Sequence, residues 1–166
     1  DGINEERLDW NYYSNSNLGV PRVSHILQQC RNSEFLIKWA ANVGRRKYDY
    51  FREKALNIGT IVHETIDEYI DSKYIHPSVL EFKVDYDEID PEYREKVYNS
   101  FENFKLWENR LYSYGGKIEE VLGFEIPLTC PWFGGTADII FKINGVWYIG
   151  DFKTSKQISP EYLLQV

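Results

Sequence analysis

Methionine is absent from the 166 residues, and cysteine occurs only as Cys30 and Cys130, far apart and outside any Cys-x-x-Cys spacing. That excludes a disulfide framework and leaves no zinc or iron–sulfur ligand pattern in view. A reducing, intracellular setting, the cytoplasm by default, is the corresponding expectation. No apolar run approaches the roughly 18 residues that a membrane span needs, so no membrane association is expected. Basic charge is also scarce: 19 Lys and Arg stand against 26 Asp and Glu, a net charge of -7. Such a balance argues against indiscriminate coating of nucleic acid, although it leaves room for a local basic cleft. With no methionine at its start and Val166 inside a helix-like pattern, the chain reads as cut at both ends. What remains, 43% hydrophobic residues over this length, suits one domain with a real core.

The local signals divide the chain into helices, a β-meander and a final helix start. Residues 1–20 are polar and turn-rich around Trp10, Tyr12 and Tyr13, and read as an arm preceding a single domain over residues 21–166. Two short helices are expected over residues 23–30 and 33–43, the second capped by Ser33 and closed by Gly44. A basic helix then carries Arg45, Arg46, Lys47, Arg52 and Lys54 among Tyr48, Tyr50 and Phe51. Phosphates are natural partners for that stretch, with a solvated face balanced by Asp49 and Glu53 as the plainer alternative. Gly59 and Thr60 read as the opening of a further helix with the apolar stripe Val62, Ile66, Tyr69 and Ile70, at whose edge His63 lies. Asp90-Pro91 starts a long helix ending at Gly115-Gly116, and its stripe of Tyr93, Val97, Phe101, Phe104, Trp107 and Leu111 is assigned to the core without chemistry. A strand over residues 121–128 carries Glu125, and Ser159-Pro160 opens the last helix.

Asn144-Gly145 is the sharpest local feature, because a type I′ turn needs positive φ at both central residues and β-rich runs flank this pair. A two-residue loop pairs Ile143 with Val146 and Ile140 with Ile149, which brings Asp138 opposite Asp151. Directly opposed side chains have Cβ atoms roughly 5 Å apart. Two carboxylates at that distance repel by about 3 kcal/mol at an effective dielectric of about 20. A shared proton, a neighbouring cation or a divalent metal must compensate, and Lys153 stands two residues beyond Asp151. Asp138, Asp151, the less certainly placed Glu125 and His63 are hard ligands that suit Mg²⁺ or Mn²⁺. Mg²⁺ keeps several waters and binds through few carboxylates plus substrate phosphate, so the set points to phosphodiester hydrolysis. Lys153 could orient or deprotonate the attacking water and offset charge developing on phosphorus. The plain alternatives are a salt-bridged hairpin, an exposed strand Glu125 and an ordinary boundary histidine at position 63.

The run Gly134-Gly135-Thr136-Ala137-Asp138, followed after twelve residues by Asp151-Phe152-Lys153-Thr154-Ser155-Lys156, resembles the core of PD-(D/E)XK nucleases of the RecB type. Gly59-Thr60-Ile61-Val62-His63 is similar to the histidine motif of that branch. The opening residues Pro21 to Gln29, with Trp39, resemble the mitochondrial genome maintenance exonucleases and their phage relatives. The resemblance covers roughly residues 21 to 166. It implies an α/β fold, a restriction-endonuclease-like core whose central mixed β-sheet is flanked by helices behind an N-terminal helical region. It implies metal ligation by His63, Asp138 and Asp151 with the Phe152 carbonyl assisting, Lys153 serving the attacking water, and Glu125 as an accessory acid. Gln165 would begin the family's glutamine–tyrosine helix motif. The implied activity is a metal-dependent DNA exonuclease acting on single strands or free ends in replication, recombination or repair, in a viral or prokaryotic host, with the mitochondrion as the other compartment. Arg45, Arg46, Lys47 and Lys156 would contact phosphates, while Tyr48 or Trp39 would stack on bases. The competing function is a DNA-end-binding or assembly module that keeps this fold without turnover.

Overall fold

The computed structural model describes residues 19–30, 34–77 and 81–155. Three helices come first: α1 (Val23–Cys30), α2 (Glu34–Val43) and α3 (Arg45–Ile70). Gly44, with φ 78°, makes the break between α2 and α3 that its position predicts. The expected helix start at Gly59 is corrected, for α3 runs through that glycine without interruption. Its apolar stripe begins a turn earlier, at Ile58, and continues through Val62, Ile66 and Ile70, all buried. Burial along that face outweighs the roughly 1 kcal/mol that a mid-helix glycine costs relative to alanine. A Cβ added at Gly59 would meet nothing within 4 Å. Gly59→Ala is therefore expected to raise stability by about 0.5 to 1 kcal/mol, measured by denaturant unfolding. An unchanged or lower midpoint would show that Gly59 is kept for something other than helix geometry.

A π-helical turn (Asp71–Ile75) ends α3, and α4 (Pro91–Ser113) follows an irregular stretch. The α4 start is as expected: Pro91 occupies the first turn and the Asp90 side chain accepts from the Glu92 N–H at 2.8 Å. Val97 and Phe101 of α4 are buried against α3, but Trp107, expected in the core, is 42% exposed. The sheet is three-stranded with order β1-β2-β3, formed by β1 (Ile118–Thr129), β2 (Gly134–Ile143) and β3 (Val146–Gly150). β1 is longer at both ends than the expected strand. The mixed helix-and-sheet class holds, although the three strands are antiparallel throughout and the parallel pairing among described residues is the isolated bridge Arg22↔Gly134. Ile118, Ile139 and Phe141 press one side of the sheet onto the α3–α4 pair to close the core.

The hairpin turn has the expected geometry, with φ 48° at Asn144 and 82° at Gly145. Asn144 also ties the turn to β1, its Oδ1 accepting from the Lys117 N–H at 3.0 Å and its amide donating to the Gly115 carbonyl at 3.1 Å. The arm except its last residues, Ser33, the helix from Ser159, Gln165 and Lys156 lie outside the described residues. Among the described residues, no helix is long and apolar enough to cross a membrane.

Candidate metal and catalytic site

The β2–β3 ladder keeps the expected register, Ile143↔Val146 through Ile139↔Gly150. Asp138 and Asp151 come next beyond its end, and their carboxylates take different partners. The Asp138 Oδ2 accepts from the Phe152 N–H at 2.7 Å and lies 3.8 Å from His63 Nδ1. Asp151 is gripped by the Lys153 ammonium, Nζ lying 2.6 Å from Oδ1 and 2.5 Å from Oδ2. The repulsion anticipated from the register is relieved by a backbone donor on one side and a cation on the other.

Glu125 reaches the site through two irregularities that no local pattern announces. β1 starts with Ile118↔Ile143, but register shifts between Ile118 and Glu120 and between Val121 and Gly123 each advance the pairing by one residue. Phe124 then faces Ile139 and Ile126 faces Ala137, which puts Glu125 opposite Asp138. Without the shifts it would stand opposite Thr136. Bulges of this kind re-aim side chains next to functional sites. Glu125 itself has φ 48°, a left-handed conformation uncommon for a non-glycine residue.

His63 joins the acids from α3. Its Nε2 lies 3.0 Å from the Phe152 carbonyl, which can only accept, so Nε2 carries a proton and Nδ1 is turned toward Asp138. That nitrogen lies 3.8 Å from Asp138 Oδ2, too long for a hydrogen bond. One ligand atom from each of His63, Glu125 and Asp138 lies within 4.8 Å of the others. An imidazole nitrogen and two carboxylates gathered this closely make a donor set that fits a hard divalent cation. Asp151, expected as a ligand, is not in this group and is engaged by Lys153. The Phe152 carbonyl, also expected as a ligand, accepts from His63 Nε2. The N–H of Phe152 donates to Asp138, and its ring packs edge-on against His63 and Phe104.

Sequence reasoning misses Asp67. It sits one helical turn beyond His63, on the same face of α3. Its Oδ1 is buried with no hydrogen-bond partner among the described residues. Burial, offset by His63 and reinforced by Glu125 and Asp138, pushes its carboxyl up to about 6. A folded-state value above the unfolded one means that the native state binds this proton more tightly, so stability falls as pH rises from about 4 to about 6 and stays lower above. Asp67→Asn is accordingly expected to be more stable than the parent at pH 7, by about 1 kcal/mol after allowance for solvent screening. The advantage should disappear at pH 4, as thermal melts across that range would show.

The nucleic-acid candidates fall into two groups. Arg45, Arg46 and Lys47 are exposed at the start of α3, with Arg45 loosely paired to Asp49 at 3.8 Å. Trp39 and Tyr48 pack on one another with ring centroids 5.9 Å apart, and Trp39 also meets Phe51 at 6.0 Å. Those rings join α2 to α3 and are partly covered, while the three cations stand exposed beside them. Gly134 donates to the Pro21 carbonyl at 3.0 Å, and a Cβ on Gly135 would come 3.1 Å from Val23 Cγ1. The glycine pair thus lets the segment before α1 lie against β2 at the approach to Asp138. No family model matches the chain, and its comparison with curated proteins and with solved structures finds no significant match.

Proposed function

We propose that this chain is a divalent-metal-dependent DNA nuclease with a PD-(D/E)XK-type core, removing nucleotides from single strands or free ends. The observation that carries the reading is the convergence of His63, Glu125 and Asp138 beside the Lys153–Asp151 pair. His63, Glu125 and Asp138 would hold Mg²⁺ or Mn²⁺, which supplies Lewis-acid activation and charge neutralisation at a phosphodiester. Phe152 keeps Asp138 and His63 aimed inward through its backbone. Asp151 holds the Lys153 ammonium in place, where it orients the attacking water and offsets negative charge building on the phosphoryl oxygens. Arg45, Arg46 and Lys47 contribute phosphate contacts along the strand. The end-directed mode is carried by the family resemblance.

The test is digestion of 5′-blocked and 3′-blocked linear oligonucleotides and of closed circular DNA in Mg²⁺ or Mn²⁺. Nucleotide release from one unblocked end with circles left intact is the expected outcome. Equal digestion of supercoiled circles would overturn the exonuclease mode. Absence of any cleavage, together with no rise in melting temperature on adding Mn²⁺, would overturn the metal-nuclease reading itself.

A further inference from the structure

Residues on α4 that no motif marks form one wall of a cleft leading to Lys153. Lys96, Ser100, Asn103 and Trp107 follow the i, i+4, i+7, i+11 spacing of a single helical face. That face is offset by one residue from the buried Val97, Phe101 and Glu108, and so turned from the core by about 100°. Between it and residues 150–155 lies a cleft of about 570 Å³, floored by apolar α3 and β2 side chains and bordered by Asp151 and Lys153. Its size and its balance of apolar floor with a few polar groups are those of a small-molecule site.

The wall has the chemistry of nucleotide recognition. Trp107 keeps 42% of its surface exposed while its indole is braced edge-on against Phe141 and tilted against Phe104, with centroids 6.2 and 5.5 Å away. Such a braced ring is a ready stacking platform. Asn103, one turn away, offers an amide that donates and accepts, the pattern that reads a base edge. Lys96 is half-buried, and among the described residues it has no ion-pair or hydrogen-bond partner. Its helical neighbour Glu92 is already bound to Lys54 at 2.7 Å. Lys96 stands about 10 Å along the helix axis from Asn103, a separation that a nucleoside and its phosphate can span.

We infer that the cleft is a nucleotide subsite for single-stranded DNA, with a base on Trp107 and Asn103 and a backbone phosphate at Lys96. The assignment rests on the nuclease reading and names where its substrate lies. Binding of a labelled oligothymidylate is to be followed by fluorescence anisotropy in Ca²⁺ and in EDTA, with melting temperatures and cleavage kinetics measured on the same proteins. Trp107→Ala should weaken binding at least tenfold and Trp107→Phe should restore most of it. Lys96→Ala should lower the salt dependence of binding by about one phosphate contact. Asn103→Ala, on an exposed position, should alter the preference among dA, dC and dT oligonucleotides. If the parent cleaves DNA while the Trp107 and Asn103 variants keep its KM and affinity, the subsite is wrong and the nuclease reading stands. If the parent never cleaves but binds in a Trp107-dependent way, the nuclease reading fails and the subsite stands. A large loss of melting temperature in Trp107→Ala with unchanged affinity would mean that the cleft seats protein, and would overturn the inference.

Discussion

Lys153→Ala is expected to slow DNA cleavage by about 10²- to 10⁴-fold, the range over which positioned proton-transfer and charge-stabilising groups act. DNA affinity should change little, because Lys153 is one cation among several and is already neutralised by Asp151 in the free protein. Lys153→Arg separates its two roles. Arginine keeps the charge but cannot give up its proton near neutral pH, so recovery of the rate would assign Lys153 to electrostatic stabilisation alone. Single-turnover cleavage with saturating enzyme measures the chemical step without contamination from binding. An end-binding module without turnover predicts no cleavage by the parent protein, and a salt-bridged structural hairpin predicts a loss of stability in its place.

Glu108→Ala is expected to cost about 3 kcal/mol of stability, a large effect for a position outside the proposed active site. Glu108 is 2% exposed on α4, yet it carries a carboxylate. Tyr69 and Lys73 donate to its Oε2 at 2.7 and 2.8 Å, and the Tyr74 hydroxyl donates to Oε1. Lys73 comes from the π-helical turn at the end of α3 and lies 5.1 Å above the Tyr69 ring centroid and 5.4 Å above that of Tyr74. Burial pulls the Lys73 ammonium down, but the bonds to Glu108 and Tyr69 outweigh it and leave it raised. Burial, with Glu108 beside it, pushes the Tyr74 hydroxyl up. Removing the carboxylate takes away the acceptor shared by Tyr69, Lys73 and Tyr74 at the α3–α4 seam, leaving Tyr74 its bond with the Tyr112 hydroxyl and Lys73 its bond to Tyr69. Glu108→Gln retains an acceptor and should lose about half as much, which denaturant unfolding of both variants would show. Equal losses would mean that side-chain packing, and not the ionic network, holds this seam.

Elements set by close neighbours along the chain are legible in the residues themselves. Asn144-Gly145 specifies both its turn and the β2–β3 register, because positive φ is a local requirement and a two-residue loop leaves no slack. Asp90-Pro91 specifies the start of α4 through a side-chain bond two residues away. Gly59 misleads for the same reason: its cost is local and visible, whereas the burial of Ile58, which carries the helix across it, is not. The core stripe of α4 is legible in Val97 and Phe101, while Trp107 belongs to the same pattern and stands on a cleft. Periodicity assigns a side to a helix without saying where its neighbour ends.

For the site, the sequence alone determined that Asp138, Asp151 and Lys153 gather at one end of a hairpin, since short-range register is enough to bring them there. Tertiary structure decided how they divide. Two shifts in the β1 ladder carry Glu125 from a place opposite Thr136 to one opposite Asp138. Packing of α3 across the sheet brings His63 onto the Phe152 carbonyl and leaves its Nδ1 facing Asp138. Asp151 goes to Lys153, and Asp67 joins from the next turn of α3 with a buried oxygen that has no partner among the described residues. Local turn chemistry fixes which residues on adjacent strands meet, whereas the partner each charge finally takes depends on desolvation and distances that exist only once the helices have packed on the sheet.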